Sequence, residues 1–138
     1  MIPFRVQLRA GASIFEQVVY AAKRAMVAGQ LLPGDTFPSV RVLSKGLKIN
    51  PNTAAKIVGH LVNEGLLETR PGIGTVVASL PESTRRERTQ LLGQEIEQLV
   101  VEAKRLSVPL DQVLRSVSDH WERLTGPIAA ADGGRKEQ

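Results

Sequence analysis

The chain contains no cysteine, which excludes a disulfide framework, a thiolate zinc site and a cysteine nucleophile together. Histidine is scarce: His60 and His120 stand far apart and supply neither a metal cluster nor an acid–base pair. No run of residues approaches the ~18 apolar positions of a membrane-spanning helix. The opening stretch MIPFRVQLRAGAS carries arginines without an apolar segment of signal-peptide length, so a cytoplasmic location is expected. Acidic residues are scarce in one half only. Residues 1–80 hold nine Lys/Arg against four Asp/Glu, whereas residues 81–138 hold nine against ten. The basic surplus is therefore N-terminal, where clustered positive charge suits a polyanion, although it equally suits an ordinary soluble surface. With 138 residues, 42% of them hydrophobic and 23% charged, the chain fits one globular core with a small appendage.

Three helices come first. Ser13-Ile14-Phe15-Glu16 has a capping-box pattern, and Ile14, Val18, Ala21, Ala22, Ala25 and Met26 recur at helical spacing, which predicts a helix over 14–28. After turn chemistry at Leu31-Leu32-Pro33-Gly34-Asp35, Pro38-Ser39 offers an N-cap for a short helix over Val40 to Leu47. Asn50-Pro51 opens a third helix, whose stripe Ala54, Ile57, Val58 and Leu61 ends near Gly65. Two strand-like segments, 66–70 and 75–78, flank Pro71-Gly72-Ile73-Gly74 and predict a β-hairpin. Because the Gly72-Ile73-Gly74 tip joins two strands and opens no helix, it is not a nucleotide-binding fingerprint, and no cofactor is expected.

Beyond Pro81, Leu92, Ile96, Leu99, Ala103 and Leu106 form a short heptad-like seam. Ser107-Val108-Pro109 breaks it, and Leu110, Leu114, Val117, Trp121 and Leu124 repeat the spacing, so an antiparallel helix pair with an apolar face is expected. The fold class is thus mainly α with a small β-hairpin: an N-terminal winged helix-turn-helix domain over 1–80, a short C-terminal α-helical dimerisation segment over 81–125, and a tail over 126–138 expected to lack order.

Helices two and three form the helix-turn-helix, whose second member enters the major groove. At ~100° per residue its outer face carries Asn52, Lys56, Gly59 and Asn63. Asn52 can pair with adenine, Lys56 can reach guanine or a phosphate, and Gly59 permits close approach, though each also suits plain solvated helix surface. Arg70, before the hairpin tip, suits a narrow minor groove or a phosphate, the alternative being a solvated strand-edge arginine.

The runs Gly34-Asp35-Thr36-Phe37-Pro38-Ser39-Val40-Arg41, Ile49-Asn50-Pro51-Asn52-Thr53, Asn63-Glu64-Gly65-Leu66-Leu67-Glu68-Thr69-Arg70 and Gly72-Ile73-Gly74-Thr75 together resemble the GntR family of bacterial transcription factors. The Asn-Pro-Asn-Thr helix opening and the short helical C-terminus resemble its YtrA subfamily, over about residues 8–125. The resemblance implies a homodimer that binds a double-stranded DNA operator, commonly as a repressor of its own operon. By position, Arg41 resembles the family's phosphate-contacting arginine, with Ser39 beside it. Asn50, Asn52, Thr53 and Lys56 fall on the recognition helix, and Gly72 and Gly74 on the wing tip laid along the minor groove. Val42, Phe37 and Val76 depart from the usual Glu, Leu and Phe. Pro51 and Ala55 replace arginines that read DNA in other subfamilies, so an operator code does not transfer from those subfamilies.

Dimerisation is expected through Leu92, Ile96, Leu99, Leu106, Leu114, Val117 and Trp121, with any small effector at the dimer interface or between the two segments. The residues leave open a winged-helix protein-interaction module that never touches DNA. An enzyme finds no nucleophile–base pair or acid–base carboxylate pair to use.

Overall fold

In the computed structural model, which describes residues 2–124, the chain forms two units that meet at Pro81/Glu82. The expected tail over 126–138 lies outside the described residues.

The first unit holds α1 (Ile14–Val27), α2 (Val40–Leu47), α3 (Pro51–Asn63), β1 (Leu67–Arg70) and β2 (Gly74–Val77). Helix α1 starts because Ser13 leaves the helical conformation and its Oγ accepts from the Glu16 N–H at 3.2 Å. The expected reciprocal half of that box, a Glu16 side chain bonded back to the cap, does not form. Gly29, at φ 80°, lets the chain reverse, and the Gln30 N–H closes the end on the Ala25 carbonyl. Helix α2 starts on Ser39, whose Oγ accepts from the Val42 N–H at 3.2 Å. It ends on Lys48, a non-glycine residue at φ 56°. Ser44 holds that left-handed turn from both sides: its carbonyl accepts from the Ile49 N–H, and its hydroxyl donates to the Ile49 carbonyl at 2.9 Å. The tight turn carries the chain into α3, capped by Asn50 Oδ1 accepting from the Asn52 N–H at 2.7 Å.

The strands pair antiparallel with Leu67 opposite Val77 and Arg70 opposite Gly74. A further edge, absent from the sequence-based expectation, runs along β2. Thr36 bridges Val76, and the Phe37 N–H donates to the Thr75 carbonyl at 2.9 Å. One core closes this unit. Val18 and Ala22 of α1, Leu43 of α2, and Ala54, Ile57 and Leu61 of α3 are fully buried, with Leu67 and Val77 from the hairpin and Leu31 and Phe37 from the loops. Burying each Leu, Ile or Phe contributes about 1.5–3 kcal/mol. The segment before α1 belongs to the same core: Phe4 is buried and stacks on Phe37 with ring centroids 5.6 Å apart.

The second unit is helical and holds no buried residue among those described. α4 (Arg85–Thr89), a π-helical stretch over Gln90–Glu95, and α5 (Ile96–Arg105) run without a break, followed by α6 (Leu110–Arg123). A complete capping box starts it, at Thr84 and Glu87 rather than where the sequence suggested one: the Glu87 N–H donates to Thr84 Oγ1 and the Thr84 N–H to Glu87 Oε1. Both helices fall where the spacing predicts; within one chain α5 and α6 share at most a marginal contact, and the apolar face expected of the pair stays exposed. Exposed ion pairs, Glu102 with Arg105 and Asp111 with Arg115, line the polar sides. The Glu102 hydrogen bond holds the Arg105 guanidinium above its ordinary pKa, so it stays cationic.

Candidate nucleic-acid interface

The face expected to read the groove lies on α3. The core side of that helix takes Ala54, Ile57 and Leu61, and helical geometry turns Asn52, Ala55, Lys56, Gly59 and Asn63 to solvent, where all five are exposed. The face is slim at its centre, with Ala55 and Gly59 contributing a methyl and a hydrogen. A Cβ placed on Gly59 would meet nothing within 4 Å, so packing inside this chain does not require the glycine. Thr53 is half-buried at the helix start.

The two helix caps leave donors free for an anion. Asn50 uses Oδ1 on the Asn52 N–H, which leaves its amide NH2 to donate outward. Ser39 uses a lone pair on Val42 and keeps its hydroxyl proton. Arg41, in the first turn of α2, is exposed and makes no hydrogen bond or ion pair among the described residues. A cation in a first helical turn opposes the helix dipole, a local cost that a phosphate would offset. Lys45 and Lys48 add two exposed cations on α2 and its turn that motif reading passed over, although the charge count contains them.

The wing tip has its own geometry. Gly72 at φ 79° and Gly74 at φ 110° both occupy conformations that a side chain rarely adopts. Arg70 is paired within the single chain: its Nε donates to Glu68 Oε2 at 3.2 Å, in a pair roughly half exposed. Such a surface pair is worth ~0–1 kcal/mol, so a phosphate can displace it. His60 is structural. It packs edge-on against Phe15 at 5.2 Å and shares Glu64 Oε1 with Lys23, at 3.1 and 3.0 Å, tying α3 to α1. His120 contacts Arg123 on its own helix, and the described residues contain no metal-ligating cluster.

A family model of bacterial regulatory proteins, the gntR family, matches residues 15–77. The HTH-type transcriptional repressor YtrA of Bacillus subtilis (strain 168) is 31% identical over 110 residues, covering 79% of this chain and 85% of that protein. The chain belongs to the GntR family. Within it the chain is of YtrA type, a DNA-binding transcriptional regulator and not an enzyme. A second relative, the HTH-type regulator YhcF of the same organism, is 29% identical over 116 residues, covering 84% of this chain and 96% of YhcF. Among solved structures, a protein titled a transcriptional antiterminator from Listeria monocytogenes EGD-e shares the fold. It has a TM-score of 0.78 at 22% identity, over 89% of this chain and 92% of that one. A transcriptional regulator from Oenococcus oeni matches with a TM-score of 0.57 at 26% identity, over 83% and 96%. In this GntR protein, the mainly helical fold with its hairpin is the family's winged helix followed by a helical segment. No helix among the described residues is long and apolar enough to cross a membrane.

Proposed function

We propose that this GntR regulator is a homodimeric repressor, acting in the cytoplasm, that binds a palindromic operator with one winged helix per half-site. The observation that carries this reading is the exposed Asn52–Lys56–Gly59 face of α3, set after a rigid turn and accompanied by the unpaired Arg41. Asn52, Thr53 and Lys56 read base edges. Ser39, Arg41 and Asn50 hold phosphates, and Arg70 with the Gly72–Gly74 tip follows the minor groove. Residues 1–80 are the DNA-binding domain and 81–125 the dimerisation segment. Leu92, Leu114 and Trp121 are 68%, 57% and 74% exposed in the single chain. With Ile96, Leu99, Leu106 and Val117 they form apolar stripes that a two-fold partner would cover. The YtrA protein of Bacillus subtilis is named a repressor, which supports the same role here.

Selection of bound duplexes from a random DNA library by the full chain tests this. The expected product is an inverted repeat with half-site centres about one helical turn, ~10 bp, apart. Failure to enrich any sequence would instead favour a winged-helix module that binds protein.

A further inference from the structure

We infer that Ile73 is a specificity-determining residue: an apolar probe at the wing tip that selects A·T over G·C pairs in the minor groove flanking each half-site. The inference rests on the DNA-binding reading above and names what the wing recognises.

Of the four tip residues, Gly72 and Gly74 have no side chain and Pro71 has only its compact ring, so Ile73, 63% exposed, is the tip's largest apolar contact group. The tip is held stiffly. The Ile73 N–H donates to the Arg70 carbonyl at 3.0 Å, closing a β-turn with proline second and a positive-φ glycine third. Strand β2 is bonded on both sides, to β1 and to the segment before α2, through Phe37 N–H to Thr75 O and Val77 N–H to Asp35 O. Ile73 thus stands only two residues, about 7 Å, beyond a doubly anchored position. Its β-branched side chain has little rotamer freedom left to lose on binding.

The chemistry of such a tip is selective. The floor of the minor groove shows only acceptors at A·T and T·A, whereas G·C adds the guanine 2-amino group at its centre. An isoleucine pressed against that group would strip its water and return no acceptor, leaving a buried donor unsatisfied. Over A·T no protruding donor is buried, and the tip can sit closer. Arg70, at the other end of the same turn, supplies the attraction to phosphate or to a narrow groove, so Ile73 itself releases no counterions and leaves the salt dependence alone.

The test uses the full chain and the duplex it selects from random DNA. At the flanking pairs, A·T, G·C and inosine·cytosine are compared. Inosine·cytosine shows the G·C pattern in the major groove and lacks the 2-amino group in the minor. The unmodified protein is expected to prefer A·T and inosine·cytosine to G·C by about tenfold per flank, the weight of one buried aliphatic contact. Ile73→Ala should reduce that preference to about twofold or less, with the slope of log K against log salt unchanged. Because Ile73 is mostly exposed and lies outside the core, the thermal midpoint should move little. The inference is overturned by inosine·cytosine behaving as G·C, by an Ile73→Ala protein that keeps the preference or changes the salt slope, or by no flank preference at all. A library that yields no bound sequence overturns the DNA-binding reading itself, and Ile73's role with it.

Discussion

A Cβ on Gly46 would lie 2.8 Å from Cγ1 and Cδ1 of Ile2. The glycine in α2 is thus the notch over which the N-terminal segment passes on its way to bury Phe4. Gly46→Ala alone gains helix propensity but must push Ile2 aside, so it is expected to be neutral or destabilising. In an Ile2→Ala background the same substitution should stabilise by about 1 kcal/mol. Denaturant unfolding of the four proteins measures the coupling, and additive effects would show that the two residues do not meet.

Gly59 presents the opposite case. With open space around its Cβ position, Gly59→Ala should raise stability by ~0.5–1 kcal/mol. The added methyl faces the groove, so operator affinity should fall about tenfold or more, an energy of ~1.4 kcal/mol. A protein that is more stable and binds equally well would show that the helix does not approach DNA closely at this position.

Arg41→Ala should weaken operator and random DNA alike and reduce the salt slope by ~1–2 units for a dimer. Asn52→Ala or Lys56→Ala should cost ~1–3 kcal/mol per lost base contact and flatten the preference for operator over random sequence. Titrations at fixed salt distinguish the two, with helix content checked by circular dichroism because Asn52 adjoins the cap. The assignment of reading and positioning roles fails if Arg41→Ala changes the specificity ratio while the other two leave it intact.

Leu99→Asp together with Leu114→Asp should convert the full chain to monomers at micromolar concentration in sedimentation velocity, with much weaker operator binding. The core of the first unit ends at Val77 and contains neither residue, so its unfolding transition should persist. A double variant that remains dimeric would place the interface elsewhere.

The helices of the first unit were legible because each start carries its own local chemistry: Ser39 and Asn50 cap α2 and α3 as the residue types suggest. The exposed face of α3 followed from the core stripe by subtraction. Part of what escaped depends on contacts distant in sequence. Phe4 has no periodic neighbours to mark it, and only the fold brings it to Phe37. The Thr36–Val76 bridge is a single residue pair with no alternating pattern to announce it. Leu31 reads as part of a turn, yet it is fully buried beneath the α1 terminus. At Thr84 and Glu87 the capping box was present in the sequence but lay within a charged stretch with no apolar run behind it. Arg70 lost its apparent freedom to Glu68, two residues back on the same strand face, a spacing that was available to be read.

In the proposed dimer, the π-helical stretch over Gln90–Glu95 bears on which chains can pair. Such a turn amounts to one residue inserted into an α-helix, and one residue is about 100° around the axis. A sister regulator lacking the insertion, aligned in phase at Leu99, would have the residues before the stretch, opposite Arg85–Thr89, turned by that angle. A mixed pair would then bring the charged run Arg85–Arg88 against a different face of its partner. In a cell that holds several regulators of this kind, helical phase would keep their subunits from exchanging, and with them the operators they address.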